Sequence, residues 1–303
     1  LQTAFTNFFE KRSGYPQFKS RKKSRLGLTY SSGGFRFKED ELYIARLKEP
    51  LNVVWSRDFD RDSISTVTIT KDKADRWFVS CLGEVSVEKR RITGKTVGLD
   101  MGVKDTLVLS TGQKLSPRDD RDMKKKLDKV DKYQRRLSKK KIGSNNFAKA
   151  KTKLSKAHVQ VVDARKDWIH KITTQLVKDF DVVCIEDLNV RGMTRSARGK
   201  GRKAKAGLNR RVLEQSFAEL RRCLEYKSRD CGGEVVAIDR FFPSSKTCSS
   251  CGYINKSLTL NQRFWTCPRC QEYLDRDINA AKNIQAAGLA VIACGDGVRP
   301  AKK

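Results

Sequence analysis

The spacing of apolar residues changes period several times along the chain, and each change marks a different kind of element. Leu1, Phe5, Phe8 and Phe9 fall on one helical face, and Gly14, Tyr15 and Pro16 then close a short amphipathic helix. From Leu26 to about Val87 the period drops to two, with Phe35 and Phe37, Leu42 and Ile44, Val67 and Ile69, then Trp77, Val79 and Cys81. Gly33-Gly34 and the polar turn from Asp72 to Asp75 interrupt it, so a small antiparallel β-domain, barrel or sandwich, is predicted. TVGLDMG and DTLVLSTG are apolar runs joined by a tight glycine turn, which predicts neighbouring strands of a buried sheet, the first ending at Asp100.

From about 119 to 177 the pattern is helical. Met123, Leu127, Val130, Gln134 and Leu137 recur at three and four, Gly143-Ser144-Asn145 makes a turn, and Leu154, Val161, Trp168, Ile172 and Leu176 return, as in an αα-hairpin with a narrow apolar seam. Val182, Val183, Cys184 and Ile185 form a further buried strand that ends at Glu186. Residues 191–205 are polar and very basic, a mobile loop unless a polyanion orders it. A helix from about Leu208 to Asp230 and a strand over 233–238 follow, and after a cysteine-rich stretch DRDINAAKNI opens a last helix that fades into GDGVRPAKK.

Charge narrows the class. The 303 residues carry 65 Lys and Arg against 35 Asp and Glu, a net +30, so the expected partner is a polyanion. A basic protein without chemistry, such as a ribosomal component, fits composition alone. No apolar run approaches the roughly 18 residues of a membrane span and no charged-then-apolar leader opens the chain, which points to the cytoplasm, with the nucleic acid of the nucleoid. Candidate nucleic-acid contacts are Lys22, Lys23 and Arg25, interleaved with Tyr30, Arg36 and Phe37; Lys124, Lys125 and Lys126; Arg135, Arg136 and Lys139, Lys140 and Lys141. Arg191, Arg195, Arg198, Lys200, Arg202, Lys203 and Lys205 extend the set. The plain alternative for each is a solvated face.

Two CxxC pairs, Cys248 with Cys251 and Cys267 with Cys270, stand fifteen residues apart, the spacing of a four-cysteine zinc ribbon. Gly252 follows the first pair, where such knuckles often need positive φ, and Phe264 and Trp265 are expected to cover a site too small for its own core. Two disulfides are the alternative. Cys81, Cys184, Cys223, Cys231 and Cys294 are scattered and read as small core or surface residues. His158 and His170 have no partners at metal-site spacing in the sequence.

Three acids, Asp100, Glu186 and Asp277, each end a buried strand or open a helix, 86 and 91 residues apart. A strand-end aspartate is often only a turn former. Three convergent carboxylates on a polycationic chain instead suit two divalent ions, Mg2+ or Mn2+, that align a water with a scissile phosphate.

GLDMGVKD, CIEDLNVRGM, FFPSSKTCSSCG, WTCPRC and DRDINAAKNI resemble, in order, the sequence blocks of TnpB proteins, once grouped as OrfB-type transposases, which are transposon-encoded relatives of the type V CRISPR effectors. The resemblance runs over residues 1 to about 298. It implies α/β plus β architecture: a RuvC-like, RNase H-type nuclease domain interrupted by a helical hairpin and a four-cysteine zinc ribbon, preceded by a partial wedge-type β-barrel. The implied divisions are the barrel over 1–92, the RuvC-like domain over 93–243 with its hairpin over 119–178, the ribbon over 244–273, the last RuvC segment over 274–290 and a tail over 291–303. Guide RNA, double-stranded target DNA and the displaced single strand are the implied partners. The resemblance, not spacing, selects Asp277 over Asp275. Relatives often carry histidine where Leu274 stands, and the chain enters mid-helix at LQTAFTNFF, so a missing N-terminal segment is expected. Competing expectations are a nuclease-inactive RNA- and DNA-binding regulator and a transposase acting directly on transposon ends.

Overall fold

The computed structural model describes residues 2–18, 26–87, 89, 92–196, 201–259 and 261–294. The chain forms two compact units, one comprising Leu1–Ser86 with Lys140–Lys156, the other Val87–Lys139 with Ala157–Lys303. Among the described residues no helix is long and apolar enough to cross a membrane.

In the first unit, helix α1 (Gln2–Phe9) packs Phe5 and Phe8 edge-on against Tyr15. Strands β1 (Gly27–Ser31), β2 (Phe35–Lys38), β3 (Glu41–Ile44), β4 (Ile64–Lys71) and β5 (Trp77–Gly83) follow the period-two reading. They form an antiparallel sheet of order β1-β4-β5 and a separate β2–β3 hairpin. Leu42, Ile44 and Val67 make the core, and Phe37 joins it against Trp55 and Phe59. Phe37 is thus partly buried against this core. Tyr30 packs on the same core, whereas exposed Arg36 lies over the Tyr43 ring at 5.1 Å.

The second unit is built on β6 (Thr96–Asp100), β7 (Leu107–Leu109), β8 (Lys114–Leu115), β9 (Val182–Glu186) and β10 (Glu234–Ile238), in the order β10-β9-β6-β7-β8. β6, β9 and β10 are parallel, and β7 and β8 are antiparallel. Between β8 and β9 lie helices α2 (Arg121–Ser138) and α3 (Asn145–Asp179), the latter belonging to this unit from Ala157 onward, and between β9 and β10 lie α4 (Val190–Met193), α5 (Arg202–Gln215) and α6 (Phe217–Cys231). The hairpin β11 (Phe264–Thr266) and β12 (Tyr273–Asp275) then leads into α7 (Arg276–Ala293). Val97, Leu99, Val183 and Ile185 bury one sheet face under Ile169 and Leu176 of α3 and Leu220 and Leu224 of α6. Cys184, Val236 and Ile238 bury the other under Ile284 of α7.

Two glycines set how closely α7 approaches. A Cβ on Gly98 would lie 2.0 Å from the Ala281 carbonyl oxygen, and one on Gly288 would lie 2.3 Å from Cys184 Sγ. The helix thus passes over β6 at backbone contact and over β9 directly against the Cys184 side chain.

Several expectations change. Gln134 is exposed and takes no part in the α2 seam, where Met123 is buried. The helix expected over 208–230 is two helices, broken at Ser216, whose left-handed φ of 55° no glycine or proline announces. The stretch 191–205 is not one loop, because α4 takes its start and α5 begins at Arg202. Arg198 and Lys200 lie outside the described residues, as do Lys22, Lys23, Arg25 and the tail from 295 onward.

Candidate active site and thiol cluster

Parallel pairing makes β6 and β9 end on the same side of the sheet, and their last residues are Asp100 and Glu186. The contact of Gly98 with Ala281 brings in the third acid. Asp277 precedes Ala281 by about one helical turn, ~6 Å, while Asp100 lies two strand residues, ~7 Å, beyond Gly98. All three acids line one cleft of about 310 Å³, together with Lys104, Ser244, Lys246, Arg263 and Arg276.

The electrostatics of this cleft are strained without a cation. Burial, and then the charges of Glu186 and Asp277, push Asp100 up to about 7 against the opposing pull of Arg276 and Arg263. Burial also raises Glu186, opposed by a hydrogen bond that Ser244 Oγ donates to Glu186 Oε1 at 2.5 Å. Asp277 is held by cations: Arg263 Nη1 reaches Oδ2 at 2.7 Å and Arg276 Nη2 reaches Oδ1 at 3.2 Å.

Asp275 has a different occupation. Its Oδ1 caps α7 by accepting the N–H groups of Asp277 (3.0 Å) and Ile278 (3.2 Å), and its Oδ2 accepts from Lys114 Nζ at 2.6 Å. Although burial opposes ionisation, Lys114 and these N–H groups hold its carboxyl below the usual range. Two acids that spacing could not separate are thus divided, one spent on the helix cap and one facing the cleft.

An all-carboxylate set with raised Asp100 and Glu186 fits hard divalent cations such as Mg2+ or Mn2+. Among the described residues, the groups of three or more ligand atoms within 4.8 Å of one another are the four cysteines and a trio of His170, Glu219 and Cys223; the three acids are spread more widely. The trio is a proximity in space that sequence spacing does not show; His170 itself is an exposed histidine, and Glu219 is already engaged by Arg222 at 2.7 Å.

The four cysteines lie within 4.8 Å of one another, with Sγ pairs 248/270 and 251/267 at 3.6 Å. That is too long for disulfides and close to the ~3.8 Å edge of a tetrahedron with metal–sulfur bonds of about 2.3 Å. Each knuckle closes through a left-handed residue, Gly252 at φ 74° and Gln271 at φ 59°. Burial opposes ionisation of Cys267, yet N–H groups of Cys270 and Arg269 and the neighbouring thiols bring it down to about 7. Trp265 is buried beside the cluster; Phe264, expected to cover it, instead stacks on Tyr273 and stays half exposed. Leu274 is buried in the same small core.

Lys124, Lys125, Arg135, Arg136, Lys139, Lys140, Arg191, Arg195 and Arg202 all have exposed side chains. The sequence reading missed Ser244, Arg263 and Arg276 in the cleft, and Asn279 and Asn283 behind it. The two asparagines had a signal: buried amides one turn apart on an otherwise apolar helix face. The others had none, since their partners are side chains well separated in sequence or, for Arg276, an immediate neighbour.

Comparison with known proteins agrees with this architecture. A family model described as OrfB_IS605, "Probable transposase", matches residues 73–197, and one described as "Cas12f1-like, TNB domain" matches 217–284. A Streptomyces pristinaespiralis protein named "Putative RNA-guided DNA endonuclease" is 44% identical over 305 residues, covering 100% of this chain and 73% of its own length. InsQ of Escherichia coli K12, given the same description, is 34% identical over 318 residues, covering 100% of this chain and 76% of its own. A Cas12f1–sgRNA–target DNA complex solved by cryo-EM shares the fold, with TM-score 0.58 at 19% identity, over 94% of this chain and 69% of that one. With identity of this order along the whole of this chain and about three quarters of such relatives, the chain belongs to the TnpB family of RNA-guided DNA endonucleases.

Proposed function

We propose that this protein cuts DNA under the direction of a guide RNA, and that Asp100, Glu186 and Asp277 are the acids of a RuvC-type, RNase H-type nuclease centre. The observation that carries the reading is the convergence of two parallel strand ends and one helix start on a single cleft lined by all three. The strand order, three antiparallel strands extended by two parallel ones, supports the RNase H-type assignment.

Two divalent ions held by the three carboxylates would supply alignment of a water with the scissile phosphate and neutralisation of the leaving oxygen. The chain's own residues do the rest. Asp100, raised by burial and then by Glu186 and Asp277, must give up its proton before it can serve as a ligand. Arg263 and Arg276 neutralise Asp277, which limits the repulsion among the acids. Lys104 and Lys246 line the same cleft and add positive charge where a phosphodiester would enter. The four-cysteine cluster is assigned to structural zinc, because four thiolates at tetrahedral spacing leave no open coordination position. Exposed lysines and arginines on α2, α4 and α5 are assigned to the phosphates of guide RNA and of target DNA, both as duplex and as displaced strand.

The test is magnesium-dependent cleavage of a target plasmid by the protein with its guide RNA. The parent cuts, and Glu186→Gln loses at least about a thousandfold in rate while keeping RNA affinity. Undiminished cleavage by Glu186→Gln would remove Glu186 from the centre, and tight RNA binding without any cleavage by the parent would favour a regulator.

A further inference from the structure

Glu186 does not stand in the cleft unaided. Its Oε1 accepts from Ser244 Oγ at 2.5 Å, and because a carboxylate only accepts, the hydroxyl must be the donor. Ser244 is buried, and its own backbone is fixed on both sides: its N–H donates to the Phe242 carbonyl at 2.8 Å, and its carbonyl accepts from Asn283 Nδ2 at 2.8 Å.

The turn carrying Ser244 is tied to the thiol cluster and to α7. The Pro243 carbonyl accepts the N–H groups of Lys246 and Thr247, each at 3.0 Å, closing the turn. Asn283 Nδ2 also donates to the Thr247 carbonyl at 2.6 Å, and Asn279 Nδ2 donates to it at 2.7 Å. Asn279 Oδ1 accepts the N–H of Ser249 at 2.8 Å. Cys248, the first sulfur of the cluster, sits between Thr247 and Ser249. The same two asparagines belong to the helix whose first turn carries Asp277.

We infer that Ser244 is a positioning residue for Glu186: the cysteine-anchored turn 243–249, clamped to α7 by Asn279 and Asn283, presents its hydroxyl to one carboxylate oxygen and so orients the group for a divalent ion. The inference rests on the nuclease reading of the cleft. A tether on Oε1 fixes rotation of the carboxylate and leaves Oε2 without that restraint. Groups that orient a metal-holding side chain in this way are commonly worth about 10–100-fold in metal affinity or activity. A serine that merely satisfied its own backbone would contribute to folding and leave metal affinity unchanged, which separates the two roles.

The experiment compares the parent chain with Ser244→Ala, Ser244→Thr and Glu186→Gln, with zinc content and melting temperature recorded for each. Binding of Mn2+ to the chain alone is followed by electron paramagnetic resonance of the free ion, and the magnesium dependence of plasmid cleavage is measured with guide RNA. The expected result for Ser244→Ala is a roughly 10–100-fold rise in the half-saturating concentration of both ions, with zinc content and melting temperature at the parent's values. Ser244→Thr, which keeps the hydroxyl, recovers most of the loss. Parent-like metal dependence in Ser244→Ala overturns the inference, as does a loss that comes with lowered zinc content or melting temperature and is not recovered by threonine. If Glu186→Gln is also silent in both readouts, it is the nuclease reading that has failed.

Discussion

Asp100 is a residue whose ionisation the folded, metal-free protein opposes. Its folded pKa of about 7 lies above the ordinary aspartate value, so the folded chain holds the proton more tightly than the unfolded chain does. The sign follows directly: the contribution of Asp100 favours folding at low pH, fades as pH rises from about 4, and is fully lost above about 7. Asp100's contribution to the stability of the metal-free protein is therefore lost between about pH 4 and pH 7, and magnesium is expected to restore it. Asp100→Asn removes the penalty, so its metal-free form exceeds the parent by on the order of 4 kcal/mol at about pH 8, less at about pH 5, while losing cleavage. Calorimetry with and without magnesium checks this; a parent and variant that stay parallel across the pH range would refute it. Asp275 illustrates how little of this spacing alone can tell. It stands two residues from Asp277 in the same acidic turn, and only its hydrogen bonds to the first turn of α7 and to Lys114 show that it is already spent.

At the scale of elements, α7 and the strands beneath it depend on the absence of a side chain at Gly98. A Cβ there would meet the Ala281 oxygen at 2.0 Å and the Gln285 nitrogen at 2.7 Å, both backbone atoms that cannot swing aside. Gly98→Ala is expected to cost roughly 3 kcal/mol and to reduce cleavage beyond the loss of folded protein, because the displaced helix carries Asp277 with it. Chemical denaturation alongside cleavage normalised to folded protein measures both. The strands that bear Asp100 and Glu186 were legible in the sequence because they are near-continuous apolar runs of five residues, and the acids end them. The two-residue β8 and the Ser216 break were not, since neither has a periodicity or a glycine or proline to mark it. The cysteine pairs were legible because knuckle spacing is local, whereas Ser244 and Glu186 meet across 58 residues by a single hydrogen bond that no local pattern encodes.

For the molecule as a whole, the excess of 30 positive charges sets the behaviour toward nucleic acid. Affinity for guide RNA is expected to fall at least about tenfold between roughly 50 and 200 mM salt, as contacts to phosphate release counterions. Filter binding across that range checks it, and a flat response would remove the basic helices α2, α4 and α5 from the interface. The placement of the acids has another consequence, one of timing. The sheet strands through β10 are synthesised before residue 277 exists, yet α7 both carries Asp277, the third acid of the proposed centre, and covers Cys184, Val236 and Ile238. On the proposed function, a nascent chain that has not yet reached α7 is expected to be unable to cut and to leave that apolar sheet face bare for chaperones or proteases, so activity waits on the synthesis of this helix.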